Sequence, residues 1–417
     1  MNQFTFEAKH KTVLFGFMIL GLICLGLSFF MDPDPHHARF WSNYLHNTVF
    51  FTGIAFITLF VVSAFITAYA GWYTVMKRVW EAFTLFLIPG LILMIPIIIG
   101  LWGHFHHLYH WADEASVAND VVLQGKESFL NKSWYSFGTL IIVGTWIYFA
   151  MKLRQLSIEE DGGKAGDYSH HRKIRIFAGT FMPIGAFSSA AMIWLWVMSV
   201  DAHWYSTMFA WYASASFFVS AMAITILLLI YLKGQGYFES VTGEHLHDMG
   251  KYLFAFSIFW TYLWFSQYML IWYSNNGEET IYFHTRINEY PVLFYGNLII
   301  NFLLPFLILM RNSTKRKYGT LIFVSVLVLF GHWWDFFLMI KPGVLHTAHE
   351  VAAHAEGAAH HAGHGFTAGF TLPGLIEIGI FLGFFAFFLY FIFGRMEKAA
   401  LEPSNDPYIG ESLHHHV

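Results

Sequence analysis

Ten apolar runs alternate with polar segments along this chain: Thr12–Phe30, Asn47–Ala70, Ala82–Leu101, Tyr135–Met151, Phe177–Val200, Phe209–Leu232, Tyr252–Trp272, Val292–Met310, Tyr318–Ile340 and Gly369–Phe393. Roughly 20 apolar residues in a helix cross the hydrocarbon of a bilayer. The pattern therefore predicts an all-α integral membrane protein with about ten transmembrane helices. The first run follows Lys9 and Lys11, is too long for a signal-peptide core, and has no small-x-small cleavage site before Met31-Asp32-Pro33, so it reads as a retained span. Pro89-Gly90 and Pro96 should kink the third run, because proline removes a backbone donor.

Charge orients the pattern. With the N-terminus inside, 18 of the 23 Lys and Arg fall in inner segments, and only Arg39, Lys126, Lys132, Arg286 and Lys341 fall outside. That bias obeys the positive-inside rule, and adding or dropping one early helix destroys it. Both termini are thus expected to be cytoplasmic. Spans six to nine resemble a second pass of spans two to five. In each set the last helix enters behind a basic cluster (Arg172-Lys173-Ile174-Arg175, then Arg316-Lys317) and leaves through a His/Asp/Trp group. A repeat of four helices preserves orientation, so the expectation is two parallel-repeat four-helix bundles and two peripheral helices. The implied organisation is residues 1–38 (first helix and outer loop), 39–203 and 204–340 (the two bundles), 341–368 (His-rich outer loop), 369–393 (tenth helix) and 394–417 (cytoplasmic tail).

Polar residues inside apolar runs carry the candidate chemistry, because an ionisable group at membrane depth is costly unless it faces protein or water. His332 and Asp335, three apart, share a helix face, which Ser325 continues seven residues before the histidine. Two roles fit: mutual satisfaction in a bundle core, or proton or ligand handling. Glu377 lies eight residues from Gly369, and His332 eight from Ile340, so both are expected ~12 Å below the outer boundary at ~1.5 Å per residue. His332, Asp335 and Glu377 could then form a relay, with Ser325 as a hydroxyl step. Asp201 and His203, at the outer end of span five, read either as a solvated helix end or as the outer exit. Asn297 and Asn301, four apart on one face, suit helix gluing or a water chain. His104, His106, His107 and His110 suit an interfacial aromatic belt or a quinone or metal contact. His346, His349, His354, His360, His361 and His364, among Ala and Gly, suit a flexible, pH-responsive surface better than a metal site.

Composition adds exclusions. Hydrophobic residues make up 56% of the chain, charged residues 12%, and mean hydropathy is +0.50, which no soluble domain of 417 residues would show. One cysteine, Cys24, excludes an intrachain disulfide, a cysteine-ligated iron–sulfur cluster and covalent c-type haem attachment. Neither a phosphate-binding glycine loop nor a basic, aromatic-interleaved nucleic-acid surface is present.

The ten-span plan, with Arg39-Phe40-Trp41-Ser42-Asn43 and Ala70-Gly71-Trp72…Lys77-Arg78-Val79-Trp80-Glu81-Ala82, resembles the NrfD/polysulfide-reductase-type membrane subunits. Within them it is most similar to the second, cofactor-free (ActF-type) subunits of bacterial alternative complex III. The resemblance covers nearly the whole chain and is strongest from Arg39 to Ala82. It implies a subunit of a quinol:electron-acceptor oxidoreductase in the respiratory chain of a bacterial inner membrane, with a structural and proton-conducting role. It also implies no redox cofactor in this chain: iron–sulfur clusters and haem c belong to an iron–sulfur subunit and multihaem c-type cytochrome subunits, and quinol to a paralogous NrfD-like membrane subunit. Membrane lipid and a terminal oxidase complete the expected partners. Three rivals stand beside this reading: a quinol-binding subunit (His104 with Asp113, or His203 with Asp201, being the nearest candidates), a free-standing secondary transporter, and a purely structural subunit.

Overall fold

The computed structural model describes residues 3–32, 34–164, 166–356 and 373–416, and of residues 349–356 the backbone alone. The fold is 80% helical, and no strand occurs among the described residues beyond a bridge between Gln3 and Ala400. Among the described residues ten long helices run: α1 (Ala8–Phe30), α2 (Ala38–Thr67), α3 (Thr74–Gly103), α4 (Lys132–Asp161), α5 (Ser169–Val200), α6 (Met208–Gly234), α7 (Gly243–Ser274), α8 (Pro291–Leu309), α9 (Tyr318–Glu356) and α10 (Leu375–Met396). Among the described residues nine of them are long and apolar enough to cross a membrane. The tenth, α7, has the length, but Trp, Tyr, Ser and Gln residues dilute its apolar character. This is the architecture of an all-α, multi-pass membrane protein.

Burial separates centre from periphery. In their most apolar windows 78% of α2 and 83% of α6 is buried, against 11% of α1. Helices α2, α3, α4 and α5 pack as a closed ring of neighbours, as do α6, α7, α8 and α9, and α2 meets both α6 and α9 between the rings. Outside them α1 lies along α10, where Gly21 and Gly383 let the two backbones touch: a Cβ on either would reach the other's Cα.

Three local features follow from sequence. Pro89 cannot donate to the Leu85 carbonyl, and α3 breaks one turn earlier, at Leu85–Phe86, where Ile88 N–H bonds that carbonyl instead at 3.1 Å. Pro305 cannot donate to the Asn301 carbonyl, and α8 widens into a π-turn over Ile299–Leu303. Helix α9 does not stop at the expected Ile340 but continues through Pro342 to Glu356, while α10 starts at Leu375. The predicted start at Gly369 lies outside the described residues, as do His360, His361, His364 and the side chains of His349 and His354. His346 is exposed on the α9 extension.

Candidate functional site

Helix α9 is the axis of the site, and Asp335 is its most embedded charge. The residue is fully buried, with four donors from three helices on its two oxygens. Tyr212 and Ser216 reach it from α6, Trp260 from α7 and Asn297 from α8. The tyrosine hydroxyl and the Asn297 amide (2.6 Å) serve Oδ1, and the Ser216 hydroxyl (3.0 Å) and the Trp260 indole (3.1 Å) serve Oδ2. None of the four is a cation. His332 does not pair with Asp335, as its spacing had allowed. Its ring meets the edge of Trp260 with centroids 5.4 Å apart, and neither nitrogen has a hydrogen-bond partner among the described residues.

The cluster extends both ways along α9. Toward the Lys341 end, a small cavity of about 10 Å³ is lined by Asp335, Tyr212, Gln267, Tyr282, Arg286 and Met339. That is room for about one water. Arg286, on the short helix Gly277–Glu289, bonds the Leu338 and Met339 carbonyls at 3.1 and 3.2 Å, and its guanidinium pairs with Asp201 at 2.7 Å. Toward the start of α9, Asn301 donates to Asn297 Oδ1 at 2.5 Å. Gly331 makes that arrangement possible, because a Cβ there would strike the Asn301 amide. Beyond lie the buried hydroxyls of Ser325 and Ser257 and the side-chain amide oxygen of Asn301, which lack hydrogen-bond partners among the described residues. Orphaned buried polar atoms are rare and ask for a reason.

Glu377 belongs to a different cluster. It sits in the first turn of α10, where Oε2 accepts from Gly374 N–H at 2.9 Å, and Oε1 pairs with Arg39 at 2.9 Å and accepts from Asn43 at 3.2 Å. From Asn43 a ladder descends α2: Asn47 donates to the Asn43 carbonyl (2.9 Å) and accepts from the Trp333 indole (3.1 Å), and His46 bonds the Trp333 carbonyl at 2.9 Å. Lys341 bonds the Ser42 hydroxyl and the Arg39 carbonyl. The expected common depth of Glu377 and His332 is therefore corrected. Because α10 starts later and α9 ends later than predicted, Glu377 caps a helix end while His332 lies deep. No hydrogen bond or ion pair among the described residues joins Glu377 to His332 or Asp335.

At the same end of the molecule, Asp201 and His203 also part company. His203 bonds Asp120, whose carboxylate caps the helix Val121–Lys126 by accepting from Val122 and Leu123 N–H. Burial would raise the Asp120 pKa, but the His203 bond and those amides outweigh it and hold the carboxyl below its usual range. Asp113 likewise caps the helix Glu114–Asn119 through Ser116 N–H and hydroxyl (2.9 and 2.6 Å), while His104 is exposed beside Lys132 at 3.3 Å. No hydrogen bond links His104 to Asp113, and Asp113 does the work of a cap.

The opposite face gathers Lys77, Arg78, Glu81, Arg154, Glu160, Asp161 and the tail residue Asp406. Here Glu160, His171 and Asp406 offer ligand atoms within 4.8 Å of one another. The Lys77 ammonium lies against Asp406 and 3.5 Å from Glu160, so a cation of the chain itself already serves two of the three ligands.

Tyr212, Ser216, Trp260, Arg286, His46 and Lys341 were not singled out in the sequence. One signal was there: of the five cations assigned to the outer side, Arg39, Arg286 and Lys341 are now each committed to polar partners near α9. Comparisons with protein-family models and with curated proteins find no match to this chain.

Proposed function

We propose that this chain conducts protons as a cofactor-free membrane subunit of a quinol:electron-acceptor oxidoreductase of the alternative complex III type. The observation that carries the proton part is Asp335: a buried carboxylate with no cationic partner among the described residues, flanked by a water-sized cavity toward Arg286–Asp201 and by orphaned polar atoms of His332 and Ser325 on its own helix. A buried carboxylate without a countercharge readily takes up a proton. Asp201 with Arg286 is the proposed exit. His203, bonded to Asp120, stands beside that route, and Glu377, in its separate cluster, anchors α10. Membership in the complex rests on the Arg39–Asn43 and Ala70–Ala82 segments and on the single cysteine. The iron–sulfur and haem c centres then reside on partner chains and the quinol on a paralogous membrane subunit. We read the two helix rings as parallel repeats about an axis along the membrane normal, with both termini on the cytoplasmic side of a bacterial inner membrane. Each ring closes on itself in chain order, which supports that reading.

A purely structural role is the second reading, favoured by the four donors that saturate Asp335. Gentle-detergent purification with mass spectrometry and optical spectroscopy comes first: co-purifying multihaem and iron–sulfur chains support the complex, and a lone, colourless protein refutes it. Vesicle-reconstituted Asp335→Asn then separates the two roles, because Asn keeps the shape but holds no exchangeable charge. Fewer protons moved per electron, with assembly unchanged, fits conduction. Wild-type stoichiometry selects the structural reading.

A further inference from the structure

A cleft of about 350 Å³ lies between the helix Val121–Lys126, the last turns of α5 and the link into α6. Its size falls among those of small-ligand sites, whereas the cavity beside Asp335 holds about one water. Phe129, Leu130, Trp194, Met198, Trp204 and Tyr205 give it apolar walls. It sits where one apolar helix ends and the next begins, the depth at which Trp and Tyr meet lipid head groups.

Two features set the chemistry of the occupant. The first is Lys126 on the cleft wall. Its ammonium bonds the Ala202 and His203 carbonyls at 2.6 and 3.2 Å and lies 5.4 Å from the Tyr205 ring centre. It forms no ion pair with a carboxylate among the described residues. Burial pushes its pKa down, and Asp120 and Glu278 only partly oppose this. A half-buried cation with no carboxylate in contact favours an anion. The second is a pair of tryptophans on the same walls whose indole N–H groups are buried. Trp204 is 3% exposed and Trp194 half-buried, yet neither Nε1 has an acceptor among the described residues. A buried donor left unpaired is costly, so an acceptor there would be held firmly.

We propose that this cleft is a binding site for one anionic phospholipid. The phosphodiester oxygens accept from Lys126 and the two indoles, and the first part of an acyl chain fills the space between Phe129, Leu130 and Met198. The inference is independent of the proton reading, since its binding groups, Lys126, Trp194 and Trp204, take no part in that route.

The test is native mass spectrometry of the full-length protein, purified with its natural partners and placed in nanodiscs of phosphatidylglycerol or of phosphatidylcholine. One phosphatidylglycerol should survive detergent stripping where phosphatidylcholine does not. K126M should lower its retention roughly fivefold, the weight of one lysine against an anionic lipid. W204F, which keeps a ring to stack on Tyr282 (centroids 3.8 Å apart) but loses the N–H, should also lower it. Unchanged melting temperatures in both variants exclude a folding defect, and either variant alone suffices if the other fails to fold. Equal retention of both lipids, or retention indifferent to both substitutions, overturns the proposal. So does displacement by inorganic phosphate, which would leave a bare anion site, or recovery of a neutral isoprenoid quinone in place of the lipid.

Discussion

Asp335 and Glu377 are both buried carboxylates beside α9, and they are held in opposite ways. Glu377 meets a guanidinium, an amide side chain and a backbone N–H at a helix end, where the positive pole of the helix adds to the match. Asp335 meets only neutral donors, on the other side of α9. The Glu377 carboxylate matched by Arg39 has its countercharge in contact. One matched only by hydroxyls, an amide and an indole is free to change charge when water reaches it. The same residue chemistry thus makes an anchor in one place and a candidate proton carrier in the other. The distinction lies in what the neighbouring helices present.

The largest break of this comparison is Asp335→Leu. It removes the shared acceptor and strands four buried donors, each costing about 1–3 kcal/mol. Together these equal a large part of a typical domain's stability, so no folded protein should be recovered from membranes, by fluorescence-detected size exclusion. Recovery of a monodisperse, wild-type-like peak would show that the donors repartner and that the cluster is looser than described.

Glu377→Ala should be milder. It leaves Arg39 beside Lys341 with its main countercharge gone, a change that costs about 3–5 kcal/mol when a pair is fully buried. The Arg39 side chain is 22% exposed, so the lower end applies. Glu377→Gln, which retains the acceptor for Asn43, should recover much of the loss in thermal melts while leaving proton movement intact. If Glu377→Gln instead stops proton movement as Asp335→Asn does, the anchor–carrier distinction fails.

A third change, Gly331→Ala, probes whether the Asn297–Asn301 arm belongs to the Asp335 cluster. The added Cβ collides with the Asn301 amide, an overpacking worth about 1–3 kcal/mol. Asn301→Ala should relieve it in the double variant. Additive losses in the melt would mean that the two residues do not press on each other.

Sequence made the helices legible because twenty-residue apolar runs have few other readings, and the polar stripe of α9 because His332 and Asp335 interrupt one. Partnership was not legible. Helical spacing places His332 and Asp335 on one face, but Asp335 turns to α6, α7 and α8, whose rotation about their own axes no local pattern specifies. Depth failed for Glu377 because a helix start was read from Gly369, whereas Gly374 and the capping Glu377 side chain mark the turn that begins α10. Arg286 was overlooked because an isolated basic residue in a loop normally reads as solvated. Its pairing with Asp201, brought close by Gly343 on α9, and its bonds to the Leu338 and Met339 carbonyls give it a place.

The smallest effect extends the matched class to the tail. Asp406 lies against Lys77 at the face where both termini meet the bundle, so it is an anchor of the Glu377 kind. Burial would raise its pKa, but the Lys77 ammonium and the Tyr408 N–H outweigh that and hold the carboxyl below the ordinary 3.8. A folded-state pKa below the unfolded one stabilises above the unfolded value, and that contribution is lost as pH falls through the folded one. The tail should therefore stay docked at neutral pH and loosen only below 3.8, seen as faster hydrogen exchange of the segment around Tyr408. Asp406→Asn removes the charge that makes this dependence, so its tail should exchange faster at neutral pH and respond less to acid. An acid response as large as that of the wild type would show that Asp406 is not the group that holds the tail.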